Sequence, residues 1–83
     1  MKVLYFAWLR EKIGTAEEDL PLPPGVTDVQ GLLDWLRARG GGHAEALADP
    51  NLVRVAVNQT YVGADHPLGD GDEVALFPPV TGG

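Results

Sequence analysis

One stretch of this 83-residue chain repeats its apolar residues at helical spacing: Val29, Leu32, Leu33 and Leu36 fall on one side of a helix. The other strongly apolar segments are short and alternate, as strands do. One substantial helix among several short strands leaves few architectures open. A sheet with one apolar face needs a cover, and a single amphipathic helix supplies it. Thr27 is expected as the helix N-cap, with Gln30 completing a capping box. Arg37 and Arg39 suit the negative end of the helix dipole, and Gly40-Gly41-Gly42 is expected to end the helix. Trp35 falls off the apolar stripe and is read as a rim contact.

The strands are assigned around that helix. Lys2 to Leu9 is expected as the first, with Val3, Tyr5 and Ala7 inward and Leu4, Phe6 and Trp8 on the opposite face. Arg10 to Gly14 reads as one helical turn closed by glycine. Glu17 to Leu22 reads as a second strand antiparallel to the first, with Pro21 confined to an edge or to the strand's end. His43 to Ala48 is a candidate short helix, and Asp49-Pro50-Asn51 a turn. Leu52 to Asn58 alternates as a strand, Tyr61-Val62 is a very short one, and Asp70-Gly71 turns the chain into a last strand, Glu73 to Phe77. The first and last strands can lie side by side in parallel if the helix lies between them in sequence. The expected fold class is α+β: a ubiquitin-like β-grasp, with a mixed β-sheet packed on one main helix.

Composition narrows the function. At this length there is one small core and no room for a deep enzymatic cleft. The sequence has no cysteine, so it has no disulfide, thiolate metal site or cysteine nucleophile. Its net charge of −6 argues against nucleic acid, which needs clustered cations. The same charge suits a basic patch on a protein partner. The N-terminal segment has no signal-peptide pattern and no apolar run spans a membrane. The expected location is cytoplasmic. No metal site is expected: Asp65, Asp70, Asp72 and Glu73 miss the calcium-loop spacing, and His43 and His66 stand apart from ligand-spaced partners. No nucleophile–base pair or phosphate-binding loop is present, so no autonomous catalysis is expected.

The end of the chain is more informative. Pro78 and Pro79 remove two backbone donors and fix φ, so the sheet cannot continue through them. The expected division is a folded domain, residues 1–77, and an extended tail, residues 78–83, that reaches roughly 15–20 Å. Gly82 and Gly83 carry no Cβ and fit a channel too narrow for other residues. The α-carboxylate of Gly83 is a poor acyl donor until a partner activates it with ATP. A sulfur nucleophile can then displace AMP and leave a thiocarboxylate. Period two puts Val74 and Leu76 toward the helix and Ala75 and Phe77 away from it. Phe77 is therefore expected as an exposed aromatic at the root of the tail, near Tyr61, and a docking anchor. Leu4, Phe6 and Trp8 are expected to extend the patch.

Several blocks carry a family resemblance. They are Val3-Leu4-Tyr5-Phe6-Ala7 with Arg10-Glu11, Val57-Asn58-Gln59, Asp65-His66-Pro67-Leu68, and Asp70-Gly71-Asp72-Glu73-Val74 running to Phe77-Pro78-Pro79-Val80-Thr81-Gly82-Gly83. Together they span the chain, which resembles the MoaD family, the small subunit of molybdopterin synthase. The resemblance implies a sulfur carrier with no bound cofactor and no catalysis of its own. An E1-like enzyme of the MoeB type adenylates Gly83 with ATP, and a sulfur donor protein converts it to the thiocarboxylate. The tail, with Gly82 as its tunnel residue, enters a MoaE-like large subunit and gives sulfur to cyclic pyranopterin monophosphate. Phe77, Tyr61, Phe6, Pro78 and Pro79 are the implied docking residues. Tyr61 departs from the family's apolar contact toward a more polar side chain. Three alternatives stand beside this reading: a ThiS-like carrier for thiamine biosynthesis, a ubiquitin-like modifier, and a β-grasp interaction module that carries nothing.

Overall fold

The computed structural model describes residues 1–79. The chain runs β1 (Lys2–Tyr5), α1 (Ala7–Ile13), β2 (Glu17–Asp19), α2 (Val29–Ala38), α3 (Gly41–Ala46), a 3-10 turn (Pro50–Leu52), β3 (Arg54–Val57), β4 (Thr60–Val62) and β5 (Glu73–Phe77). The strands form one mixed five-stranded sheet in the order β2-β1-β5-β3-β4. β1 and β5 lie at its centre in parallel, and the other pairings are antiparallel. This is the expected ubiquitin-like β-grasp, α+β with one main helix across the sheet.

The core lies between that helix and the inner face of the sheet. Val29, Leu32 and Leu36 of α2 pack with Val3, Tyr5, Val55, Val57, Val74 and Leu76. The alternation in β5 holds as predicted: Val74 and Leu76 are fully buried, and Ala75 and Phe77 are half-exposed.

Four local departures from the expected elements have physical causes. First, β1 stops at Tyr5. The Phe6 amide still donates to the Leu76 carbonyl at 3.1 Å, but Ala7 takes φ of 55° and turns the chain into α1. That rotation buries Leu9, packs Trp8 on the core's margin and leaves Ala7 exposed. Trp8 and Ala7 are thus helical, not strand residues.

Second, α2 is capped by Asp28 rather than Thr27. The Asp28 carboxylate accepts the Gly31 amide at 2.8 Å. The carbonyls of His66 and Ala64 take the amides of Val29 and Gln30, at 3.0 and 2.8 Å. Donors that a helix start leaves unpaired are met by the 64–68 loop, and Gln30 instead bonds Asp34 along the helix. Third, the glycine run starts a helix as well as ending one. Gly40 and Gly41 have positive φ, 79° and 54°, and Gly42 packs α3 against α1. A Cβ at Gly42 would stand 2.0 Å from the Lys12 carbonyl oxygen, so only glycine allows this approach. Fourth, β2 ends at Asp19 and β3 spans Arg54–Val57, each shorter than its apolar pattern. Asp49 caps the 3-10 turn before β3, and Asn58 begins the next turn.

Candidate functional site

The outer face of the sheet, turned away from α2, is built from two rows of side chains. Cross-strand register aligns Leu4, Ala75, Ala56 and Tyr61 from β1 to β4. Beyond them Phe77 stands opposite Arg54, and Phe6 follows the Tyr5–Leu76 pair. Ala75 makes the floor and aromatics the rim, which leaves a hollow. Phe6, Tyr61, Ala75, Phe77 and Pro78 line this depression of about 390 Å³. Phe6 is 47% exposed and Tyr61 75%, high for such apolar bodies. Phe77 is less exposed than expected because the Tyr61 ring lies against it, with centroids 5.3 Å apart.

The structure therefore brings Phe6, Tyr61, Phe77 and Pro78 together, with Pro79 next in the chain. Trp8 is drawn away by α1. Gly82 and Gly83 lie outside the described residues. Trp35 is a surface residue of α2, 36% exposed, with the Arg39 guanidinium 5.5 Å from its ring centre.

Two of the quoted sequence blocks meet at the far end of β5. The Asn58 side chain accepts the Glu73 amide and donates to the Asp72 carboxylate, both at 3.0 Å. Asp72 also accepts the Gly69 amide at 2.8 Å. The Gly69 amide first, then the Asn58 amide, hold the Asp72 carboxyl below its ordinary range by bonding its charged form. Asp70 accepts the Leu22 amide at 2.7 Å. These acids organise turns. Among the described residues no group of three or more His, Cys, Asp or Glu side chains is arranged to hold a metal ion.

A second polar cluster was not anticipated from the sequence. Glu18, between outward Glu17 and Asp19 on edge strand β2, points inward. Its Oε2 accepts from the Tyr5 hydroxyl, contacts His43 Nε2 at 3.0 Å and accepts from Arg39 at 3.0 Å. His43 is thus paired, not isolated as its sequence neighbours suggested. Burial works against the Glu18 charge, but the bonds from Tyr5, His43 and Arg39 outweigh it and lower the carboxyl's pKa. Burial, then Glu18, pushes the Tyr5 phenol far upward, so it remains a donor. The cluster ties β1, β2, the end of α2 and α3 together. Period-two alternation was the one signal for it: an acid at an inward strand position needs partners.

A five-stranded β-grasp sheet with an apolar hollow at the root of a Pro-Pro segment defines a ubiquitin-like protein. The chain belongs to the ThiS family, whose model matches residues 3–83. It is 48% identical over its whole length to the molybdopterin synthase sulfur carrier subunit of Escherichia coli, covering 99% of that protein. It is 34% identical to the human protein of the same name, covering 93% of it. Among solved structures, small archaeal modifier protein 1 of Haloferax volcanii is similar with TM-score 0.74 and 28% identity, over 96% of this chain and 97% of that one. A complex of subunits 1 and 2 of molybdopterin-converting factor from Helicobacter pylori contains a similar chain, with TM-score 0.66, 25% identity, and 99% and 96% covered. The resemblance to MoaD drawn from the sequence blocks is borne out by these relatives.

Proposed function

We propose that this chain is the sulfur carrier subunit of molybdopterin synthase. The full-length identity to a protein of that name carries the reading. Residues 1–77 form the docking body and residues 78–83 the working tail. The Gly83 carboxylate attacks the α-phosphorus of ATP on an E1-like, MoeB-type partner, and pyrophosphate leaves. Sulfur from a donor protein then displaces AMP, which leaves a thiocarboxylate at Gly83. With no cysteine in the sequence, the terminal carboxyl is the group suited to carry that sulfur.

Phe6, Tyr61, Phe77, Pro78 and Pro79 seat on a MoaE-like large subunit, so that Gly82 and Gly83 enter its active site. Sulfur passes there to cyclic pyranopterin monophosphate, and the carrier returns with an ordinary carboxylate. An apolar hollow continuous with the start of the tail supports this docking mode, because one rigid contact then fixes where the tail begins. The chain itself holds no cofactor, and its work is cytoplasmic, where ATP and the activating partner meet it.

The test is reconstitution. The chain, an E1-like enzyme, ATP, a sulfur donor, the large subunit and the pterin precursor should yield the dithiolene product. A chain lacking Gly83 should yield none. Normal product from the shortened chain would refute the reading. Similarity to an archaeal modifier protein supports a second use of the same activated terminus, acylation of a lysine amine. Isopeptide-linked adducts in place of pterin product would favour it.

A further inference from the structure

Arg54 is a cation placed beside the apolar hollow, and the described residues give it no ion-pair partner. Its neighbours Val53 and Val55 are buried against the core, so Arg54 projects from the outer face and is exposed. Strand register sets it directly opposite Phe77, a spacing of about 5 Å between such side chains' Cβ atoms. Three of the other five cations of this acidic chain are matched: Lys2 with Glu17 at 3.3 Å, Arg37 with Asp34 at 2.8 Å, and Arg39 with Glu18 at 3.0 Å; Arg10 and Lys12, exposed on α1, lie away from the hollow. Among the described residues Arg54 forms no such pair.

A partner that covers Phe77 must come close to Arg54 and strip part of its water. A guanidinium stripped of water on one side needs an acceptor, and a carboxylate matches its planar fork. The net charge of −6 attracts a basic surface overall. An acid on that surface opposite Arg54 would be a local exception that fixes register and excludes partners lacking it. We propose that Arg54 is a specificity-determining residue of the docking face, pairing with a carboxylate of the large-subunit surface that covers Phe77. The inference rests on the carrier reading above and adds a chemical requirement for the partner's surface.

The experiment measures association of the full chain with its cognate large subunit at low and high ionic strength. Four variants are compared: Arg54→Glu, Arg54→Gln, Arg37→Glu and Phe77→Ala. Arg37→Glu makes the same change in net charge from α2, on the other side of the sheet. Arg54→Glu should weaken binding at least about tenfold at low salt, chiefly through slower association, and the deficit should shrink at high salt. Arg54→Gln should fall between it and the unaltered chain. Arg37→Glu should bind more tightly or within about twofold of the unaltered chain. Equal losses from the Arg54→Glu and Arg37→Glu variants would overturn the proposal in favour of general steering. Unchanged binding by both Arg54 variants, with Phe77→Ala still impaired, would overturn it and leave the docking face standing. Unchanged binding by Phe77→Ala would remove the docking face, and the proposal with it.

Discussion

Glu18 shows how one side chain decides a local structure. It is an acid on the inward side of an edge strand, and its charge is retained because three partners bond it. Its pKa is lowered in the fold, so its stabilisation is present above the carboxylate's unfolded pKa and is lost as pH falls through the folded value. Glu18→Gln should therefore cost about 1–3 kcal/mol at neutral pH. The cost should shrink as pH falls below the ordinary carboxylate range and through the lowered folded value, where the unaltered side chain is itself protonated. Urea unfolding of both proteins across pH checks this, and a pH-independent difference would contradict it. Asn58 and Gln59 show the opposite case, a strained pair. Their φ values are 50° and 70°, the backbone that a two-residue β3–β4 turn requires. Asn58 is compensated by its bonds to Asp72 and Glu73, whereas among the described residues the Gln59 side chain makes no hydrogen bond. Gln59→Gly should raise stability by about 0.5–1 kcal/mol in the same assay. A loss of stability would show that Gln59 is held by something other than turn geometry.

At the scale of elements, β5 and its register with β1 and β3 make the apolar outer face proposed for docking. Ala75 forms the floor because it sits among the larger side chains of Phe6, Tyr61 and Phe77. Ala75→Leu should fill the hollow, leave the inward core untouched and weaken large-subunit binding by about 1–3 kcal/mol. Calorimetric titration checks it, and binding unchanged by the larger side chain would show that the hollow is not occupied. β5 was readable in the sequence because turn, alternation and Pro-Pro stop all agree there. α2 was readable by its apolar stripe, but its cap was not: the choice of Asp28 over Thr27 depends on the 64–68 loop, a tertiary partner. β1 was overextended because Phe6, Ala7 and Trp8 fit a strand by composition. Only the backbone turn at Ala7 separates them. The residues of the apolar hollow were legible as faces of strands. The Glu18 cluster was not, since it joins residues from four separated segments.

At the scale of the whole molecule, the described residues form a small closed body with an apolar hollow that Pro78 borders. In the described residues, its two polar clusters serve packing: one holds the β3–β4 turn against β5, the other clamps α3 and α2 to the sheet edge. Neither contains the acid, base and nucleophile of a hydrolytic site. The proposed carrier reading puts the chemistry on the terminus and on partner proteins, so that an 83-residue chain with a shallow surface can take part in a group transfer. The most direct test is the intact mass of the chain after incubation with ATP, the E1-like enzyme and a sulfur source. The expected result is one oxygen replaced by sulfur, localised to Gly83 by fragmentation and reversed on transfer to the pterin precursor. An unchanged terminus, or sulfur delivered without any change of mass at Gly83, would contradict the carrier mechanism.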